Sequence, residues 1–233
     1  MVILSTCTIF AKKLKMVKKY LISIAFSVVS FTTVFGQTDP NRVRWHEPFD
    51  IYVGPKIGVS YSTFTKVGGD PMIWGMVGGF VEVYFTDRLG MNVEMNYSHQ
   101  GARNVFHASD NPNAQGSYLY RLDYINTEYK LKYYFIKPVC AYAGFHFGTL
   151  INAKSENKSV DPVAITNIRK HLHRQASISV GASYETEKWV VDGMYCFPLR
   201  RLANKNDELA ETILGDAKQH IFMLTFGWKI KMF

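Results

Sequence analysis

The chain has 233 residues, of which 47% are apolar, 15% aromatic and 20% charged. That length allows one large domain, and the apolar content excludes a disordered or collagen-like chain. The net charge of +8 suggests nucleic acid only until its placement is noted. Lys12, Lys13, Lys15, Lys18 and Lys19 precede a long apolar run, and no acid occurs before Asp39. Beyond residue 36 the chain carries 22 basic against 19 acidic groups. The basic excess is largely an address label, and a nucleic-acid partner is excluded.

Lys18-Lys19 lead into Leu21–Phe31, and Val34-Phe-Gly36 precedes Gln37. A basic stretch, an apolar stretch and a small residue make a secretory signal peptide, cleaved between Gly36 and Gln37. The run from Tyr20 to Phe35 falls short of the roughly 20 residues of a membrane-spanning helix, and Ser and Thr dilute it. Met16 is a natural start, which would leave residues 1–15, with Cys7, outside the protein. No Cys follows the apolar run, so a lipoprotein anchor is not expected. Residues 37–49 read as a periplasmic segment and residues 50–233 as the main domain. Its two cysteines, Cys140 and Cys196, do not make a disulfide framework and read as packed thiols.

From Asp50 onward, apolar and polar residues alternate with the period of a strand that has unlike faces. Ile51, Val53, Ile57, Val59 and Tyr61 oppose Tyr52, Gly54, Lys56, Gly58, Ser60 and Ser62. Val77, Val81, Val83 and Phe85 oppose Met76, Gly78, Phe80, Glu82 and Tyr84. Leu89, Met91, Val93, Met95 and Tyr97 oppose Gly90, Asn92, Glu94, Asn96, Ser98 and Gln100. Ile125, Tyr129, Leu131, Tyr133 and Phe135 oppose Asn126, Glu128, Lys130 and Lys132. Four more strands follow, over 139–151, 175–185, 189–199 and 222–232. The first places Cys140, Tyr142 and His146 on its polar face, and the third Asp192, Met194 and Cys196. Short turns near Asp87-Arg88, Ile136-Lys137-Pro138 and Glu187 alternate with longer loops over 63–72, 101–116, 152–173 and 200–218. No segment sustains a helical period over three turns, although Asp207–Leu214 has the pattern of one helical turn.

Eight strands with short and long connections in alternation define an all-β, antiparallel, up-and-down transmembrane barrel. A soluble barrel would bury the apolar face and wet the polar one. Two features favour lipid outside: Tyr61, Tyr97, Tyr133, Tyr134, Trp189 and Trp228 cluster at strand ends, as in interfacial girdles. Gly also recurs on the polar face, where a narrow lumen must be filled.

Several segments resemble the PorT-like outer-membrane β-barrel family. Leu89–Ala102, LGMNVEMNYSHQGA, is similar to its L-x-x-E-L-x-Y-S-x-Q-G-A hairpin. Tyr124–Phe135, YINTEYKLKYYF, is similar to its Y-L-E-I-P-x-x-x-K-Y-Y-F strand. Gly58–Ser62 resembles its first-strand glycine pattern and Val191–Tyr195 its L-D-A-R-Y segment. Thr127 stands in place of the usual Pro, and Met194 in place of the usual Arg. The resemblance implies an eight-stranded barrel in the cell outer membrane. The family's founding member assists a secretion system, a role not carried over to this chain.

The polar face carries Lys56, Glu82, Glu94, Glu128, Lys130, Lys132, Asp192, Lys229 and Lys231. Eight strands enclose a space that side chains fill, so a packed plug is expected, with Glu82, Glu94 and Glu128 paired to Lys56, Lys130 and Lys132. Ser98 and His99 are the tempting catalytic pair, but neighbours on a strand face opposite sides. No G-x-S-x-G elbow is present, and no enzyme activity is expected. His171-Leu-His173 has ligand spacing, but Arg169, Lys170 and Arg174 beside it would repel a metal ion. No cofactor is expected. The expected role is structural or recognitional, with a narrow pore, or an accessory of secretion or uptake, as runner-up and a lipid-modifying barrel enzyme as a remote third. The expected partners are outer-membrane lipid, the barrel-insertion machinery and other envelope proteins.

Overall fold

The computed structural model describes residues 46–65, 69–107, 116–158, 164–204, 214 and 216–232. The signal segment, Gly36, Gln37 and most of Asp207–Leu214 lie outside these. The strands are β1 (Ile51–Phe64), β2 (Asp70–Tyr84), β3 (Leu89–His107), β4 (Gly116–Ile136), β5 (Val139–Asn157), β6 (Ala164–Asn167), β7 (Gln175–Glu185), β8 (Trp189–Pro198), β9 (Gln219–Trp228) and β10 (Ile230–Lys231). Eight of them form a closed antiparallel ring, β1-β2-β3-β4-β5-β7-β8-β9, with β9 pairing back onto β1. β6 lies against the far end of β5, and β10 continues β9 along β1.

Closure comes with a definite stagger. Partner to partner around the ring, Tyr52 leads through Glu82, Asn92, Lys130, Gly144, Ser179, Cys196 and Ile221 to Ser62, ten residues further along the same strand. Ten steps of about 3.3 Å against eight strands about 4.8 Å apart give a tilt of about 40°. The even stagger keeps inward residues beside inward residues, so one parity lines the lumen all the way round.

Two of the three short turns share one device. Thr86-Asp-Arg-Leu89 and Thr186-Glu-Lys-Trp189 each begin with a threonine whose Oγ1 accepts from the backbone two and three residues on, at 3.0–3.3 Å. Side-chain capping of this kind closes a turn without asking an unusual conformation of the backbone. The seam between β1 and β9 loosens at Gly54 and Pro55. Pro55 has no N–H to give, and the Lys229 amide donates instead to the Lys188 carbonyl at 2.7 Å. The chain here is pressed so close that a Cβ on Gly54 would overlap the Trp228 carbonyl oxygen.

The expected face assignment holds on all eight strands. Outward residues such as Ile57, Val77, Met95, Leu131, Phe145, Leu224 and Phe226 are exposed, Met95 at 61%. Inward ones such as Lys56, Glu82, Glu94, Asn96, Glu128, Lys130 and Asp192 are buried, Lys56 at 3%. A water-soluble protein does not leave such a continuous apolar belt uncovered. On β3 the belt runs from Leu89 to Tyr97, about 20 Å high at this tilt, close to the roughly 25 Å band of membrane barrels.

Three expectations need correction. Tyr134 is no girdle residue: it points inward, 1% exposed. Lys231 is not in the lumen. It has inward parity but lies at the mouth, half exposed, with Nζ 2.8 Å from Asp50. The segments 101–116 and 152–173 are not wholly loops either: β3 runs on to His107, β4 begins at Gly116, and β5 reaches Asn157. Their alternation is lost because bulges interrupt the register at Ala102/Val105 and Asp123/Tyr124, and because the outward face there is polar.

Candidate functional site

The lumen holds two salt-bridged clusters. Nearest the short turns, Lys132 Nζ lies 2.6 Å from Glu82 and 2.7 Å from Glu185, and Lys229 Nζ 3.0 Å and 2.8 Å from the same two carboxylates. Tyr134 donates to Glu185 at 2.9 Å and contacts the Tyr84 hydroxyl at 3.0 Å. Further in, Lys56 Nζ lies 2.6 Å from Glu94 and 2.7 Å from Asp192. Lys130 sits 2.9–3.0 Å from Asp192, Glu94 and Glu128, and the Tyr142 hydroxyl donates to Asp192. Asn96, Asn126, Ser98, Gln100 and Gln219 then continue the hydrogen bonds towards the loop end.

The structure brings Lys56, Glu82, Glu94, Glu128, Lys130, Lys132 and Asp192 together in these clusters, with Lys229. Asp192 takes a larger part than expected: it bridges Lys56 and Lys130. Two members escaped the sequence reading. Glu185 ends the strand predicted over 175–185, where nothing in the sequence separated lumen from mouth. His146 looked like one more polar-face residue. Its Nδ1 is 3.4 Å from Glu128 Oε1 and its Nε2 3.2 Å from Gln175 Oε1. Only the Nε2 contact is a hydrogen bond, and Nδ1 is left without one. The four lumen lysines stand among five carboxylates, Glu82, Glu94, Glu128, Glu185 and Asp192.

Both ends are closed. At the loop end, Phe64, Ala102, Val105, Tyr120, Leu122, Tyr124, Leu150 and Ala153 meet Ile168, Leu202, Ala203, Leu214 and Ala217 in one apolar lid. Segment 171–173 runs beside 202–204, and Leu202 donates to the Ala217 carbonyl at 2.9 Å, so the later connections fold inward over the mouth. His171 and His173 sit in this folded segment beside Arg169, Lys170 and Arg174. At the turn end, His46 stacks on Tyr84, with centroids 3.7 Å apart, and leans on Tyr134 and Tyr52. The Phe49 amide fastens this strap to the Tyr84 carbonyl at 2.6 Å.

Ser98 and His99 part as expected. Ser98 is fully buried in the lumen, whereas His99 lies outside, where its Nδ1 meets Asp123. That pairing was invisible in the sequence because the β3–β4 register depends on where the hairpin turns. Cys140 and Cys196 are buried and unbridged, with Cys140 Sγ 2.8 Å from Ser183 Oγ.

Residues 35–204 match the outer membrane protein beta-barrel domain family, which covers most of the chain. The chain is therefore an outer-membrane β-barrel protein and belongs to that family, and its place is the cell outer membrane. Among solved structures it is similar to Ail, the attachment invasion locus protein of Yersinia pestis, with 14% identity, a TM-score of 0.46, and cover of 78% of this chain and 99% of that one. It is also similar to neisserial surface protein A, with 12% identity, a TM-score of 0.42, and cover of 78% and 97%. OprG of Pseudomonas aeruginosa gives 12%, 0.42, and cover of 82% and 100%. No curated protein sequence matches the chain.

Two outcomes follow. Lys130→Met leaves Glu94, Glu128 and Asp192 sharing one cation fewer in a confined interior, and removing one partner of a buried pair costs about 3–5 kcal/mol. Urea unfolding from lipid vesicles should show a loss of unfolding free energy of that size, whereas Arg121→Met on the outer face should change it little. The second concerns His46, whose imidazole is pushed down to about 4 from 6.5 by burial and then by the Lys229 ammonium, against Glu82 and Glu185. Above pH 6.5 the ring is neutral both docked and free, and docking is at full strength. Between 6.5 and 4 only the free form takes up a proton, so docking weakens as pH falls, by roughly 2 kcal/mol after allowance for partial exposure. Hydrogen exchange at Phe49 and Asp50, corrected for intrinsic rates, should lose protection across that window. His46→Phe should abolish the dependence.

Proposed function

We propose that this chain is a closed, PorT-like barrel whose role is surface recognition and structural support of the outer membrane, and not conduction. One observation carries the reading: β3, β4 and β5, with β6, continue past the apolar belt as a wall whose outward face turns polar. Above Tyr97 and Ile125 come His99, Asp123 and Asn152 at the edge of the belt, and clear of it the outward positions Arg121, Lys154 and Glu156. Such mixed polar surface on a rigid sheet, standing clear of lipid, suits contact with another envelope component. The lid at one mouth, the His46 strap at the other and the ion pairs between them argue against a pore. The four motif matches on β1, β3, β4 and β8 support the PorT-like placement. The signal segment supports export with removal of the first 36 residues. The partners on this reading are membrane lipid around the belt, the insertion machinery during assembly, and envelope proteins at the wall.

The protein in a planar bilayer should give no steady conductance. In intact cells a membrane-impermeant maleimide should label Lys154→Cys and spare Glu187→Cys until the outer membrane is opened. Ohmic channel steps, or the reverse labelling order, would overturn the reading.

A further inference from the structure

The wall carries one group that neither the lumen nor the recognition reading uses. His99 and Asp123 are direct cross-strand neighbours on the outward faces of β3 and β4, one step above Tyr97 and Ile125 at the upper edge of the belt. Asp123 Oδ1 holds His99 Nδ1, and Asp123 Oδ2 accepts from Asn152 Nδ2 of β5 at 3.1 Å. The far nitrogen, Nε2, lies 3.4 Å from the Tyr97 hydroxyl. Trp74 stands edge-on to the ring, 5.4 Å between centroids. The His99 side chain is 35% exposed and Asp123 17%.

This chain of Asn152, Asp123, His99 and Tyr97 is more than an anchor requires. Tyr and Trp alone satisfy the interface, and setting a carboxylate and an imidazole against lipid costs free energy that a girdle of aromatics avoids. The carboxylate has both oxygens occupied and is largely shielded. It can only orient the ring; a proton held on Nδ1 by this carboxylate leaves the Nε2 lone pair beside the Tyr97 hydroxyl. The height is that of the boundary between acyl chains and headgroups, where lipid ester groups lie. An apolar surface for the acyl chain, formed by Tyr97, Ile125 and Phe147, is directly beneath.

We propose that His99, positioned by Asp123, is the general base of an interfacial hydrolase acting on ester-linked acyl chains of the lipids around the barrel. His99 Nε2 removes a proton from water as the water oxygen forms a bond to the ester carbonyl carbon. The Tyr97 O–H donates to the oxygen that becomes negative. The intermediate collapses, the bond to the lipid alcohol breaks, and the imidazolium returns its proton to that leaving oxygen. One water is consumed, and a fatty acid and a lysolipid are released. This activity goes beyond the recognition reading and does not rest on it.

The test uses the full protein reconstituted in vesicles of diacyl phosphatidylethanolamine and phosphatidylglycerol, with fatty acid and lysolipid followed together by mass spectrometry. Wild type should release both in equal amounts. His99→Asn should lower the rate by about 100-fold or more, the usual worth of a general base. Asp123→Asn should also lower it, because an amide donating to Nδ1 puts the proton on Nε2. Tyr97→Phe should lower it less than either. Heat-modifiable mobility in all variants controls for folding. Equal release by wild type and His99→Asn, whether zero or not, overturns the proposal, as does an Asp123→Asn variant as fast as wild type. Conductance and surface labelling are untouched by either result.

Discussion

Every backbone N–H and C=O that enters hydrocarbon must find its partner within the protein, because no water is there to supply one. A sheet meets that demand only when it closes on itself, and here the demand falls on the seam between β1 and β9. The seam is also the least regular part of the ring. Pro55 withholds a donor, Gly54 is crowded against the Trp228 carbonyl, and the Lys229 amide finds an acceptor in the neighbouring turn instead. That irregularity sets Lys229 at the foot of the lumen, where it completes the cluster with Glu82 and Glu185.

Closure divides the residues between two solvents, and the rest of the chemistry follows from that division. Outside, Ile, Val, Leu and Phe meet acyl chains. Inside, charge is affordable only where it is paired, which explains why each lumen lysine touches at least two carboxylates. The lumen is thus a structural element whose members support one another. The chemistry available to other molecules lies outside it, on the wall raised by β3, β4 and β5.

The division into two faces was legible because a strand in contact with lipid and a filled lumen alternates sharply, as in Leu89–Gln100. Legibility failed wherever that contrast faded. Tyr134 read as a girdle residue because aromatic character at a strand end does not reveal direction; its partners Tyr84 and Glu185 lie on other strands. Lys231 shares the parity of the lumen lysines, but parity is silent on depth. Beyond Ala102 and Leu150 the outward face is polar and the inward face apolar, so the wall and the lid inverted the very pattern used to find strands. The lumen acids and lysines were recognisable as a set, whereas Glu185, His146 and the pairing of His99 with Asp123 needed a register that only the assembled ring supplies.

The central claim is that lipid bathes one parity of each strand and a packed polar interior the other. Single cysteines at positions 92 to 96, in a background with Cys140 and Cys196 changed to serine, can carry nitroxide labels in reconstituted vesicles. The account predicts that collision with oxygen dissolved in the bilayer is high at 93 and 95 and low at 92, 94 and 96. A pattern of the opposite parity, or one with no period of two, would contradict it.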